Sequence, residues 1–188
     1  MSGAAIGIKA GARILAVACG PIRGRTVLTV GVVGRRGAVE GVLSSRISVD
    51  GTDATRKIIG MLSGSRFSGQ VRLIAVNGVA LAGLNVIDVN RLERELGARV
   101  LILTRERPVT SRLVRALAAF SERSGRDVSG RIALLRGAHF VTFSVNGVYV
   151  QSSGAVHPKS TIGPSRELLR LAHMIASGVS SGGPAGRM

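Results

Sequence analysis

Apolar positions along this chain fall into two rhythms. Arg13 to Cys19 is apolar almost throughout and predicts a buried strand, broken by Gly20-Pro21. Thr26 to Val33 is rich in β-branched residues and predicts a second strand. Gly34-Arg35-Arg36-Gly37 turns it into a third, Ala38 to Val49, giving an antiparallel three-strand meander with the first strand in the sheet interior. Ile58, Ile59 and Leu62 then recur at helical spacing, after Thr52 or Asp53 as the cap and before Gly64 as the stop. Gln70 to Val76 is apolar enough for a central parallel strand. Asp88 to Leu96 predicts a short helix stopped by Gly97, and Arg99 to Leu103 a fifth strand. Pro108 opens a helix to about Ser121, with Leu113, Val114 and Leu117 facing inward. Ile132 to Leu135 and Phe140 to Val150 suggest a closing hairpin or meander, and Pro164 to Ser177 a last helix with Leu168, Leu171, Ala172 and Ile175 on one face.

A hairpin-linked meander followed by alternating helices and strands is the order of a ribonuclease-H-like α/β fold, a mixed sheet of meander plus parallel strands flanked by helices. At 188 residues the chain fits one domain, with Gly-rich segments 1–11 and 178–188 expected to be flexible tails. No internal repeat is evident.

Composition changes the picture in one direction. The formal charge is +16, which points to a polyanionic partner. The cations are nearly all Arg, since Lys occurs only at Lys9, Lys57 and Lys159. A codon bias can explain Arg over Lys; it does not explain why there are only 10 acids. One cysteine excludes a disulfide framework and a Cys-based zinc site, and suits a reducing, cytoplasmic location. No apolar run is long enough to span a bilayer, so no membrane partner is expected. Ile14 to Cys19 is too short for a signal sequence and runs straight into another strand. Phe67, Phe120, Phe140, Phe143 and Tyr149 do not make a stacking platform, so recognition of nucleic acid would rest on backbone and shape.

Four stretches carry a family resemblance. They are Arg13-Ile14-Leu15-Ala16-Val17-Ala18-Cys19-Gly20-Pro21; Glu40 to Ser45 running on through Asp50-Gly51-Thr52-Asp53-Ala54-Thr55; Asn77-Gly78-Val79-Ala80-Leu81-Ala82-Gly83-Leu84-Asn85-Val86-Ile87-Asp88; and Pro164 through Arg170-Leu171-Ala172-His173-Met174-Ile175-Ala176. Together they resemble an uncharacterised archaeal protein family related to endonuclease V. The resemblance implies a ribonuclease-H-like nuclease scaffold, in which strand-end carboxylates hold Mg²⁺. It also implies a departure. The family's opening strand carries acids where this chain has Ala18 and Cys19, and its fourth strand ends in Asp-Gly where this chain has Asn77-Gly78. Asp50 alone survives from the trio by this match. The stretch between Val150 and Pro164 is shorter than in active relatives.

Each candidate also has a plain structural reading. Asp50 and Asp53 are metal ligands or a turn residue and a helix cap. Asn77-Gly78 is a relic of a ligand, a tight turn, or both. Asp88 fits an N-cap, and Cys19 a small buried hydrophobe. His139, His157 and His173 are scattered; His157, in a loop at the site edge, is the one placed for catalysis. Arg23, Arg25, Arg35, Arg36 and Arg46 lie on or around the meander. Arg105, Arg107, Arg112 and Arg115 follow the fifth strand, where open α/β sheets bind ligands and where a helix N-terminus near Pro108 adds to the field.

The resulting expectation is a catalytically degenerate endonuclease-V-like protein that binds RNA or DNA through these arginines, without a cofactor. One alternative is an active Mg²⁺-dependent endonuclease with a rearranged site, in which Asp50 with Glu40 or Asp53 holds the ion. A second is an interaction protein of a ribonucleoprotein or the ribosome.

Overall fold

The computed structural model describes residues 11–154 and 158–181. Nine strands and five helices follow one another in this part of the chain. The meander is β1 (Arg13–Cys19), β2 (Thr26–Arg35) and β3 (Ala38–Ser48). Then come α1 (Ala54–Ser63), β4 (Val71–Val76), the small hairpin β5 (Ala80–Leu81) and β6 (Asn85–Val86), α2 (Val89–Leu96) and β7 (Arg99–Thr104). The helices α3 (Thr110–Ser124) and α4 (Ser129–Gly137), the hairpin β8 (Val141–Val145) and β9 (Val148–Ser152), and α5 (Pro158–Ser181) complete it.

Seven strands form one mixed sheet in the order β3-β2-β1-β4-β7-β9-β8. β1, β4 and β7 run parallel; the other pairings are antiparallel. The apolar run of β1 is explained by its central place. Leu15 and Val17 face a core built with α1 and α2, while Ile14, Ala16 and Ala18 face a second core under α5. A strand covered on both faces has no side to leave polar. At residues such as Leu15, Ile74 and Leu101, which are fully buried, each side chain contributes roughly 1.5–3 kcal/mol of transfer free energy. A third cluster, centred on Leu117, Val128 and Leu135, packs α3 and α4 against the β5–β6 hairpin.

The expected mixed sheet and helical layers are present, with local corrections. Ile132 to Leu135 is not a strand but the middle of α4. Val128, Ile132 and Leu135 recur at helical spacing and meet Leu113, Val114 and Leu117 of α3, and a short apolar run reads equally well as either element. The closing hairpin is confined to β8 and β9. The last helix starts before Pro164, which sits inside it, and extends into the stretch expected to be a tail. Segment 1–10 lies outside the described residues. Asp53 occupies the N-cap position of α1, but its side chain makes no cap bond; Asn85 Oδ1 accepts from Ala54 N instead, at 3.1 Å. Asp88 caps α2 as expected, accepting from Arg91 N at 2.9 Å.

Candidate functional site at the strand ends

The C-terminal ends of the three parallel strands open on one edge of the sheet. β1 delivers Ala18 and Cys19 there. Val76 of β4 pairs with Val17, so the exposed Asn77 leaves the sheet beside Ala18. β3 runs in the same direction as β1 and delivers Asp50, Asp53 following at the head of α1. The structure therefore brings Ala18, Cys19, Asp50, Asp53 and Asn77 to a common edge. It does not bring Glu40 there. Glu40 lies near the start of β3, bound to Arg13 and to Arg35, ten residues before Asp50 and roughly 30 Å from it at the rise of a strand. The pairing of Glu40 with Asp50 around one ion is thus corrected by the direction of β3.

The two strand-end acids are already engaged. Asp50 takes the left-handed conformation, φ 51°. Its N–H donates to Ala82 O at 3.0 Å, and its Oδ1 accepts from Leu84 N at 2.8 Å. Gly83 packs so closely on this carboxylate that a Cβ there would fall 2.2 Å from Oδ1. Asp53 accepts from Ser48 N at 3.1 Å, Ser48 Oγ at 3.0 Å and Asn85 Nδ2 at 2.7 Å. Burial pushes the Asp53 carboxyl up, but the donors Asn85 and Ser48 together outweigh it and hold the group below the usual carboxylate range.

Cys19 sits between these groups. Its Sγ lies 3.3 Å from Thr29 Oγ1, and the backbone of Ala82 also bonds the sulfur. Burial pushes the thiol above its ordinary value, and the bonds to Thr29 and Ala82 only partly oppose this. The β5–β6 hairpin is thereby folded over the strand ends, with Ala82 touching both Cys19 and Asp50. Mg²⁺ takes oxygen ligands, usually one or two carboxylates with several waters. Ala18, Cys19 and Asn77 supply no carboxylate; Oδ1 of Asp50 accepts from Leu84 N, and both oxygens of Asp53 accept from Ser48 or Asn85. Among the described residues no three His, Cys, Asp or Glu side chains converge. The edge offers at most two carboxylates, Asp50 and Asp53, and both already accept hydrogen bonds from within the chain.

The arginines gather around the same edge. Arg23 and Arg25 are exposed on the β1–β2 connection, and Arg46 is exposed near the end of β3. Arg105 and Arg107 follow β7, and Arg112 and Arg115 are exposed on the first turns of α3. Arg112 has an open ion pair with Glu106 at 3.6 Å. Four strand spacings separate β3 from β7, so the row from Arg46 to Arg105 spans roughly 20 Å. Beside the Arg112 end lies a cleft of about 360 Å³, lined by Val79, Thr104, Pro108, Leu113, Phe140 and Gln151 among others.

Two residues matter here that sequence reasoning passed over. Asn85, fully buried, donates to Ser48 O at 2.9 Å and to Asp53 while accepting from Ala54, tying β3, α1 and β6 together. Arg131, 5% exposed, donates from Nη1 to Asp50 O at 3.0 Å and Leu84 O at 3.2 Å, and lies over the Phe120 ring. Its burial, with Arg126 nearby, lowers its pKa. Nothing local in the sequence distinguishes Arg131 from its exposed neighbours. His173 reaches the carbonyl of Cys19 from α5 at 3.2 Å, His139 is exposed before β8, and His157 lies outside the described residues.

Comparison with known proteins identifies the family and the fold. The family model described as endonuclease dU matches residues 10–180. A UPF0215 protein of Methanothermobacter thermautotrophicus is 36% identical over 185 residues, covering 93% of this chain and 91% of its own. One from Thermococcus gammatolerans is 40% identical over 170 residues, covering 85% and 84%. Among solved structures, a protein of unknown function from Archaeoglobus fulgidus superposes with a TM-score of 0.74 at 26% identity, covering 89% of this chain and 98% of that one. Endonuclease V of Ciona intestinalis, solved with a 23mer DNA, shares the fold at a TM-score of 0.51 and 4% identity, covering 90% and 87%. A model matched along nearly the whole described chain, with relatives above 30% identity over most of their length, places this chain in the endonuclease dU family.

Proposed function

We propose that this chain is a catalytically degenerate, endonuclease-V-like protein that binds RNA or DNA through the arginines at its strand ends. The observation that carries the reading is the contrast at that edge. Arg23, Arg25, Arg46, Arg105, Arg107, Arg112 and Arg115 stand exposed, while Oδ1 of Asp50 and both oxygens of Asp53 accept hydrogen bonds from within the chain. Arginine forks suit phosphate oxygens, and backbone contacts need no sequence preference. The family carries the name of an endonuclease, and an endonuclease V of the same fold has been solved on DNA; this supports nucleic acid as the partner. What this chain gives up is the cutting.

The test is a titration with labelled single- and double-stranded RNA and DNA, with and without Mg²⁺ or Mn²⁺, reading binding and cleavage together. Five phosphate contacts on a duplex give a slope of about −4.5 in log affinity against log salt, roughly a 500-fold loss between 50 and 200 mM. Replacing Arg105 and Arg107 by Ala should make that slope shallower by about 1.8. Salt-independent affinity refutes the binding surface. Metal-dependent cleavage that disappears in Asp50→Ala refutes the degeneracy.

A further inference from the structure

The sheet has a second basic end. β2 and β3 are joined by a two-residue turn, Arg36-Gly37, at the pole opposite the strand ends just described. Such a turn needs positive φ at both central residues, and here they are 52° and 84°. Asn-Gly meets that demand with little strain, and this chain uses it. The β8–β9 hairpin has the same two-residue connection, built from Asn146 at 49° and Gly147 at 72°. At the β2–β3 tip the first position is instead Arg36, a long side chain in a conformation that disfavours it. Observed strain of this kind is a pointer to function.

The neighbours share its sign. Arg35 precedes it, with its side chain 54% exposed; Arg66 and Arg72 are exposed nearby. The acid beside them, Glu40, is shared by Arg13 and Arg35. Arg66 is braced on the buried Phe67, 4.8 Å from the ring centre, and donates to Glu40 O at 2.8 Å. Arg36 lies back over Gly11, where a Cβ would meet its Nε at 2.7 Å. Arg35 and Arg66 are thus anchored, by Glu40 and by Phe67.

We propose that the β2–β3 tip, with Arg35, Arg36 and Arg66, is a second phosphate-binding surface, so that one chain holds two separate stretches of nucleic acid. β3 has 11 residues, which sets the poles roughly 33 Å apart. A stem of about seven base pairs spans only about 24 Å and cannot reach both. The proposal shares with the preceding reading the partner's chemistry and none of its residues.

The test uses the full chain with two DNA hairpins of about seven base pairs, one carrying a donor dye and the other an acceptor. Wild type should give energy transfer at low salt and bind two stems per chain. The variant Arg35→Ala/Arg36→Asn should lose the transfer and the second stem, and total binding should lose about 1.8 from its salt slope. Arg36→Asn installs the residue that the chain's other hairpin already uses, and Arg35→Ala gives up only a half-exposed ion pair, which adds little to stability, so the melting temperature should stay within a few degrees of wild type, which separates lost contact from lost fold. Arg105→Ala/Arg107→Ala should weaken the other site and leave the tip's stem bound. One stem per chain, or a tip variant indistinguishable from wild type, overturns the second surface while leaving the strand-end reading intact. Unchanged binding in the Arg105 and Arg107 variant alone overturns the strand-end reading and leaves the tip standing. No binding of either stem overturns both.

Discussion

Replacing Asn85 by Ala removes three hydrogen bonds from a fully buried position. Ala54 N loses its acceptor, Ser48 O loses a donor, and Asp53 loses the shortest of its partners, 2.7 Å away. An unmet buried donor or acceptor costs about 1–3 kcal/mol, more when its lost partner was charged. Water entering the vacated space recovers part of this, leaving a net loss of about 3–5 kcal/mol. That is a large fraction of a typical total of about 5–15 kcal/mol. At about 2–4 °C per kcal/mol for a chain of this size, the melting temperature should fall by about 6–20 °C. Asn85→Asp sharpens the test. It keeps the acceptor for Ala54 but sets a second carboxylate against Asp53, whose like charge and burial raise the new group's pKa. A raised folded-state pKa stabilises below the unfolded value of about 3.9 and is lost as pH rises through the folded value. The Asp variant should therefore come closer to wild type at pH 4 than at pH 7. Denaturant melts at both pH values decide the matter. An Asn85→Ala loss under about 1 kcal/mol, or an Asn85→Asp protein as stable as wild type at pH 7, would refute the claim that this side chain holds the strand-end edge together.

Cys19 should react slowly with a thiol reagent at neutral pH. Because its folded pKa is raised, its contribution to stability is full below the unfolded value of about 8.5 and is lost as pH climbs through the folded one; an alkaline melting series on wild type and Cys19→Ala should show this slope only in wild type. Asp50→Asn should change stability by less than about 1 kcal/mol, because Asn tolerates positive φ and can still accept from Leu84 N; a Mn²⁺-induced rise in melting temperature that Asp50→Asn abolishes would instead assign a ligand role. Leu117→Ala, in the small cluster between α3 and α4, should cost about 2–5 kcal/mol by calorimetry; a cost below 1 kcal/mol would mean that the cluster adds little to the folded state.

The central sheet was legible because its pattern follows burial. β1, β4 and β7 are covered on both faces and read as continuous apolar runs, while Gly and Pro mark their ends. Resemblance located the edge where Ala18, Cys19, Asp50 and Asn77 meet. Less was visible where local pattern and tertiary need diverge. Ile132 to Leu135 is too short a run to separate strand from helix, and only contact with Leu117 decides it. The β5–β6 hairpin has two-residue strands, below any periodicity, yet its Ala82 and Leu84 determine what Asp50 can do. The roles of Asn85 and Arg131 are set by partners 31 to 81 residues away in sequence, and no window along the chain contains them.

The placement of α5 has a consequence for how the chain is born. Its residues Leu168, Leu169, Ala172 and Ala176 form the lid of the core that β1, β2, β4 and β7 present on one side. Synthesis runs from the N-terminus, so the whole sheet leaves the ribosome before that lid exists. Until then Ile14, Ala16, Val30, Val32, Leu73 and Leu101 stand as a bare apolar wall, a template for the wrong partner. Helix α5 thus acts as a clasp, and until it closes that wall is open to intermolecular contact.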